Sequence, residues 1–142
     1  MLNSILLDYG YQNYEISNWS KPKMESIHNM RYWKKYDYLG FGPGASSFYE
    51  NKRKTNIRSL KKYINNLKNS ILEFEEDYTL NKKDNLIEGI MLNLRLSSGI
   101  NHEQFEKKFN FDFSDKFFQT IDKLLEYDLI KTNNKKTILV RL

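Results

Sequence analysis

Residues 10–19 have the sequence GYQNYEISNW, and the prediction of the fold class starts from this segment. The run from Tyr11 to Ser17 contains two tyrosines and one isoleucine, residue types that favour β-strands. Gly10 separates this run from apolar residues at helical spacing, namely Leu2, Ile5, Leu6 and Tyr9. Helix, glycine and strand in this order predict an α/β unit. Because no cap or first turn precedes Leu2, we expect the sequence to begin inside a helix of a longer protein.

Composition excludes several classes of function. The 142 residues include no cysteine, which removes disulfides, thiolate zinc sites, cysteine nucleophiles and self-ligated iron–sulfur clusters. No window approaches the roughly 18 consecutive apolar residues that a membrane span needs. With 39% hydrophobic and 15% aromatic residues, the chain can pack a core, and we expect a globular α+β protein.

Positive charge is concentrated in one segment. The chain has a net charge of +5, yet residues 20–70 alone carry 12 Lys and Arg against three Asp and Glu. The residues before and after this segment each have a net charge of −2. Such a segment suggests an anionic partner, with nucleic acid as one alternative.

The sequence HNMRYW at residues 28–33 carries the first candidate site. The imidazole of His28 is suited to metal ligation or proton transfer, and Tyr32 and Trp33 could stack on a flat apolar ligand. A hydrogen-bonded structural role for His28 is the alternative. No second histidine or cysteine lies nearby to complete a zinc site, whereas haem needs only one or two protein ligands.

Three further features have open interpretations. The glycine-rich segment YLGFGPGASSFY at residues 38–49 lacks the Lys-Ser/Thr pair of a P-loop, so a strand and turn with tight packing is favoured. Glu15 could hydrogen-bond the hydroxyls or the amine of a ligand, or it could face solvent on an edge strand. His102 stands where a helix is expected to begin.

From about Arg58 onward the pattern is typical of helices, which we predict over residues 60–71, 79–94, 101–109 and 114–127. Residues 129–140 predict two strands around an Asn-Asn turn, so the end of the chain is winged-helix-like. A DNA-recognition helix needs cations, but residues 114–127 carry Asp115, Asp122 and Glu126 against Lys116 and Lys123. A structural or docking role is therefore favoured over nucleic-acid binding.

Three ordered motifs, at residues 10–22, 28–33 and 38–45, together resemble the HemW branch of the oxygen-independent coproporphyrinogen III oxidase family of radical S-adenosylmethionine proteins. The later stretch from Glu88 to Ile100 resembles the C-terminal domain of that family. The resemblance implies the last strands of a radical-SAM partial (β/α) barrel with its connecting region in residues 1–57. It implies a helical, winged-helix-like C-terminal domain with a terminal hairpin in residues 58–142.

The same resemblance implies site residues and cofactors. His28, Asn29, Tyr32 and Trp33 match a haem-binding motif, and Tyr14, Glu15 and Ile16 match a segment near S-adenosylmethionine. The family's 4Fe–4S cluster is held by a C-x-x-x-C-x-x-C motif that this chain lacks, so no residue here ligates the cluster. Many relatives have histidine where this chain has Ser46, which leaves His28 without an obvious local partner.

The function implied is that of a C-terminal fragment of a cytoplasmic haem chaperone, inert without the cluster that cleaves S-adenosylmethionine. Its expected partners are haem or porphyrin, the remainder of the barrel and a haem-accepting protein. A coproporphyrinogen III oxidase of porphyrin biosynthesis is the first alternative. A winged-helix nucleic-acid-binding module is the second.

Overall fold

The computed structural model describes residues 2–110 and 112–140. Its helices and strands, in chain order, are α1 (Leu2–Asp8), β1 (Gln12–Asn13), β2 (Trp19–Ser20), α2 (Ile27–Trp33), β3 (Ser46–Tyr49), β4 (Lys52–Asn56), α3 (Leu60–Lys68), β5 (Phe74–Thr79), α4 (Lys82–Arg95), β6 (Ile100–Asn101), α5 (His102–Phe109), α6 (Phe113–Glu126), β7 (Ile130–Thr132) and β8 (Lys136–Leu139). The chain is therefore a mixture of helices and small sheets, and the described residues form no closed barrel.

The described residues divide into two compact units. The terminal unit consists of the residues up to Lys34 together with those from Glu88 onward, and the central unit is Lys35–Ile87. The boundary at residue 57 that the sequence suggests refers to the layout of a longer protein and stays a prediction. None of the helices in the part of the chain described is both long and apolar enough to cross a membrane.

The first elements of the terminal unit only partly follow the sequence pattern. Helix α1 ends before Gly10, whose φ of +78° suits a glycine. The predicted strand from Tyr11 to Ser17 is wrong, because only Gln12–Asn13 pairs, with Trp19–Ser20 on the returning chain. The side chain of Asn13 donates to the backbone oxygens of Glu15 and Asn18 and closes a turn between them. These local side-chain bonds compete with an extended strand.

Helix α2 lies in a stretch, residues 18–37, for which the sequence pattern suggests irregular structure. Ser26 caps this helix, since its hydroxyl accepts a hydrogen bond from the backbone N–H of Asn29 at 3.2 Å. With seven residues the helix is too short for an apolar period to be evident in the sequence.

The second part of the terminal unit confirms the predicted helices and hairpin. Strands β7 and β8 pair as predicted, and β6, which the sequence pattern did not indicate, adds to the other edge of β8 in an antiparallel sheet of order β6-β8-β7. The buried apolar side chains of this unit are Leu96, Ile100, Phe105, Phe113 and Ile130. They come from the residue that follows α4, from the sheet and from helices α5 and α6, so one small core joins these elements.

The central unit contains two strands that the sequence pattern missed. Strand β4 pairs with β3 across a turn at Glu50 and Asn51, both at positive φ, and β5 pairs with the other edge of β4. Both strands are rich in charge, KRKTN and FEEDYT, so neither shows an apolar alternation. Polar side-chain contacts across the two strands add to the backbone pairing, as in the ion pair of Lys54 with Asp77 at 3.2 Å and the hydrogen bond from Thr55 to Glu76.

His102 is the first residue of α5 and is structural. Its side chain is buried, Nε2 lies 2.9 Å from the hydroxyl oxygen of Thr137, and its ring stacks on Phe113 with centroids 5.1 Å apart. Burial lowers the pKa of His102, while the nearby carboxylates of Glu106 and Asp112 act in the opposite direction. The neutral imidazole is therefore the form that the folded chain favours.

We predict that the terminal unit loses stability as the pH falls below about 6.5, the ordinary pKa of histidine. A lowered folded-state pKa means that the unfolded chain binds the proton more tightly, so acid favours unfolding. Urea unfolding at pH 7.5 and pH 5.5 should show a larger loss in the wild type than in His102→Gln. The His28→Ala variant, which removes the other imidazole, is the control and should retain the wild-type loss. Equal losses in wild type and His102→Gln would contradict the assignment.

Two glycines at positive φ provide a matched pair of substitutions. A Cβ at Gly99, whose φ is +68°, would lie 2.1 Å from the backbone oxygen of Thr137, whereas a Cβ at Gly10 meets nothing within 4 Å. We expect Gly10→Ala to cost about 1–2 kcal/mol, the strain of the left-handed conformation alone. Gly99→Ala should cost roughly 1–3 kcal/mol more, because the β6–β8 contact must open. Urea unfolding of the two variants measures the difference, and equal free energies of unfolding would refute the collision.

Candidate functional site on helix α2 and the Glu15 turn

Helix α2 presents the HNMRYW segment with its histidine outward. His28 is exposed in the first turn, and Tyr32, four residues later, packs edge-on against it with ring centroids 4.9 Å apart and planes at 84°. Asn29 contributes its backbone N–H to the Ser26 cap. The helix thus holds an imidazole and a phenol on one face, where both can meet a ligand.

Trp33 at the end of α2 is half-buried. The guanidinium carbon of Arg95 lies 4.3 Å from the centre of its indole ring, the geometry of a cation–π contact. The indole nitrogen Nε1 is buried and has no hydrogen-bond partner among the described residues. A buried N–H without a partner is costly, and the stacking and packing contacts of Trp33 must offset this cost.

Glu15 lies in the turn after β1 and is fully buried. Its Oε1 accepts hydrogen bonds from the backbone N–H of Ser17 at 2.9 Å and from the side-chain amide of Asn18. Its Oε2 accepts from the guanidinium of Arg95 at 3.1 Å. A buried carboxylate is tolerated when it is paired and hydrogen-bonded in this way.

The turn is also joined to the segment that follows α4. Glu15 forms an isolated antiparallel bridge with Leu96, and the backbone N–H of Ser97 donates to the oxygen of Tyr14 at 3.0 Å. The hydroxyl of Ser97 donates to the backbone oxygen of Asn13. Residues 13–18 are therefore fixed by both backbone and side-chain bonds to residues 95–97.

The structure brings the two predicted groups of site residues to one part of the terminal unit. Arg95 joins them, because it contacts Glu15 of one group and Trp33 of the other. Tyr14 is half-buried and Ile16 is exposed. The sequence analysis did not identify Arg95. This arginine lies in the largely apolar sequence MLNLRL at the end of an amphipathic helix, and a charged residue in such a place indicates a buried partner.

The chain's residues fit the three implied groups differently. Without cysteine the chain cannot ligate an iron–sulfur cluster, and the described residues contain no group of three or more metal-ligating side chains. Glu15 is fully buried, and both of its carboxylate oxygens accept hydrogen bonds inside the chain. The exposed imidazole of His28 fits an axial ligand of haem.

The positive segment at residues 20–70 is divided between the two units. In the central unit, cations pair with carboxylates in and next to β5: Arg58, which precedes α3, pairs with Glu75, and Lys62 of α3 pairs with Glu73. Hydrogen bonds from Lys62 and Asn66 lower the pKa of Glu73. In the terminal unit, residues 20–34 carry Lys21, Lys23, Arg31 and Lys34 against Glu25. Of the cations in the positive segment, only these four lie in the same unit as His28.

The prediction of a strand and turn with tight packing in the glycine-rich segment is confirmed at Gly40. Gly40 leaves no space for a Cβ, which would lie 2.2 Å from the backbone oxygen of Ser46, and Asn56 donates to the oxygens of Gly40 and Gly42. Strand β3 follows the glycines, whereas a phosphate-binding loop is followed by a helix. The central unit also holds an open groove of about 630 Å³, and none of the predicted site residues lines it.

Comparisons with known proteins place these features in a family. Residues 80–137 match the family described as the HemN C-terminal domain. Over 93% of its length the chain is 33% identical to the heme chaperone HemW of Lactococcus lactis, and it covers 34% of that protein. It is 29% identical to the heme chaperone HemW of Bacillus subtilis over 92% of the chain and 35% of that protein. The chain thus spans about a third of the length of these relatives.

A solved structure shares the fold. Coproporphyrinogen III oxidase (HemN) from Escherichia coli, described as a radical SAM enzyme, aligns with 98% of the chain and 36% of its own length at a TM-score of 0.73. The sequences are 18% identical in this alignment, so the likeness concerns the fold. The fold of the chain is that of the C-terminal part of HemN.

We predict that removing the cation of the Glu15–Arg95 pair destabilises the terminal unit far more than breaking a surface pair does. Arg95→Met leaves a fully buried carboxylate without its cation, which should cost about 3–5 kcal/mol. The control is Lys107→Met, which breaks the exposed pair with Glu103 in the same unit and should cost less than about 1 kcal/mol. Tryptophan fluorescence in urea reports this unit, because Trp19 and Trp33 both lie in it. Similar costs for both variants would show that the buried pair is energetically ordinary.

Proposed function

Because the chain belongs to the HemN and HemW family, in which it corresponds to the C-terminal part of HemW-like proteins, we propose that it is the haem-binding C-terminal part of a radical-SAM haem chaperone. The observation that carries this proposal is the exposed imidazole of His28 on a capped helix, with Tyr32 beside it. Haem is the cargo in this function, and His28 is its axial ligand.

The residues of α2 take distinct roles toward haem. The phenol ring of Tyr32 packs against the imidazole edge-on and so restricts its orientation. The hydroxyl of Ser26 caps the helix on which His28 stands by accepting from the backbone N–H of Asn29, and Trp33 is the last residue of the helix. Arg31 and Lys34, with Lys21 and Lys23 on the preceding segment, supply cations for the two propionates.

The remaining cofactors belong to the rest of the longer protein. The 4Fe–4S cluster is held outside this chain, since the chain has no cysteine, and it supplies the electron that cleaves S-adenosylmethionine. The segment with Tyr14, Glu15 and Ile16 lies near S-adenosylmethionine in this proposal. There Glu15 acts through the placement of the turn, while Tyr14 and the exposed Ile16 face the rest of a partial barrel. We place this protein in the cytoplasm.

We further propose that the elements from α4 to β8 form a winged-helix-like module used for docking. The order of helices and of the three-stranded sheet β6-β8-β7 supports this interpretation. The acidic residues of α6, among them Asp122 and Glu126, disfavour binding to nucleic acid. The haem-accepting protein is the partner that this docking role implies.

A coproporphyrinogen III oxidase is the second candidate function, favoured by the fold that the chain shares with HemN. The longer protein, with its cluster reconstituted, should be incubated with coproporphyrinogen III and separately with haem and an apo-haemoprotein. Haem transfer without decarboxylated product supports the chaperone. Formation of the decarboxylated product supports the oxidase.

The His28→Ala substitution tests the ligand role. Titration of the chain with haem should give a Soret band whose position differs from that of free haem. We expect His28→Ala to lose this shift and to weaken binding by about tenfold or more, a loss of about 1.4 kcal/mol. His102→Gln, which removes the buried histidine, should bind haem like the wild type and serves as the control. If His28→Ala has the Soret band and the haem affinity of the wild type, the proposal is wrong.

A further inference from the structure

We propose that Arg95 is the positioning residue of the haem-binding helix: it fixes Trp33, and through Trp33 the orientation in which α2 presents His28. This inference rests on the proposed haem-binding function of α2. It adds a residue from the last turn of α4, 62 positions away from Trp33 in the sequence, to a site that the motifs alone confine to residues 14–16 and 28–33.

The guanidinium of Arg95 makes two contacts of different kind at once. Its carbon Cζ lies over the indole of Trp33, 4.3 Å from the ring centre, and its Nη2 donates to Oε2 of Glu15 at 3.1 Å. A planar, delocalised cation can stack on an aromatic ring with its face while its edge donates to a carboxylate. An ammonium group lacks this plane, so lysine can replace the charge but not the stacking.

The carboxylate that holds Arg95 is itself immobilised. Glu15 is fully buried, and its other oxygen accepts from the backbone of Ser17 and the side chain of Asn18. Because the turn is bonded to residues 96 and 97 as well, the carboxylate has little freedom to follow a moving arginine. Arg95 is therefore held by a fixed carboxylate in addition to its contact with Trp33.

Helix α2 needs such an anchor. A helix of seven residues does not hold its conformation or its position through its own hydrogen bonds, so contacts with the rest of the unit must fix it. Two such contacts lie at its C-terminal end, where Arg95 covers Trp33 and Lys108 donates to the backbone oxygen of Lys34 at 3.3 Å. The end with the exposed His28 is thus oriented from the other end of the helix.

The pair also connects two motifs that were assigned separate roles. Glu15 belongs to the segment proposed to lie near S-adenosylmethionine, and Trp33 belongs to the haem motif. One guanidinium touches both. A displacement of the Glu15 turn would therefore move the support of the haem helix.

The test is Arg95→Lys in a Trp19→Phe background, so that Trp33 is the one tryptophan that reports. We expect iodide to quench Trp33 more strongly, the emission to shift to the red, and haem affinity to fall by about threefold or more, because the cation remains for Glu15 but the stacking is lost. Arg58→Lys in the same background makes the same chemical change at an exposed arginine of the central unit and should leave Trp33 quenching and haem affinity unchanged. Urea unfolding followed by circular dichroism records any loss of stability separately.

The outcomes separate this inference from the proposed function. If His28→Ala weakens haem binding but Arg95→Lys alters neither Trp33 quenching nor haem affinity, the positioning role is overturned and the proposed function stands. If Arg95→Lys weakens haem binding only through lost stability, with Trp33 quenching as in the control, Arg95 is merely structural and the inference is again overturned.

If Arg95→Lys both exposes Trp33 and weakens haem binding, while His28→Ala also weakens haem binding, the positioning role and the proposed function are both supported. If His28→Ala leaves haem binding intact, the proposed function is overturned, and the role of Arg95 in presenting His28 falls with it.

Discussion

The buried carboxylate of Glu15 is the constraint on which the terminal unit depends. Taking a carboxylate out of water costs several kcal/mol, so a fully buried glutamate must find its donors within the fold. Those donors come from the turn itself, at Ser17 and Asn18, and from Arg95 on a helix 80 residues away in the sequence. The requirement to satisfy one carboxylate therefore specifies how the beginning of the chain meets the end of α4. Apolar contacts alone tolerate shifts of this kind more readily than directed hydrogen bonds do.

Periodicity in the sequence predicted the helices but not the features that directed contacts produce. Helices α3, α4, α5 and α6 coincide with apolar periods of the sequence, and α5 and α6 place Phe105 and Phe113 in the core. Strand β5 could not be predicted from the pattern of FEEDYT, which has no apolar alternation, and its pairing partner β4 lies elsewhere in the sequence. The turn at Glu15 was mistaken for strand for a related reason: its tyrosines and isoleucine suggest β-structure, but bonds from Asn13 decide the backbone.

The candidate site shows the same division between what the sequence predicts and what it cannot. The residues of α2 were identified from their motif, and the structure adds that His28 is exposed and that Tyr32 packs against it. The support of Trp33 by Arg95 could not be deduced, because nothing local in either segment indicates the other. The positive charge of residues 20–70 also has to be interpreted differently. Three of the cations that suggested an anionic partner form ion pairs within the central unit. What remains for an anion beside His28 is the smaller excess of residues 20–34.

The hydrogen bonds of the YEISN segment bear on how its chemistry is understood. Glutamate in a motif next to a cofactor is readily interpreted as a ligand for hydroxyl or amine groups. Here, however, both of its oxygens are bonded within the chain. Displacing those bonds to reach a ligand would leave the guanidinium of Arg95 without this carboxylate and would open the turn at Ser17 and Asn18. Such a rearrangement costs more than a single hydrogen bond to a ligand returns, because buried charge pairs are expensive to break. In the proposed function the segment therefore contributes through the position of its backbone and of its neighbours Tyr14 and Ile16, with Glu15 as the residue that holds that position.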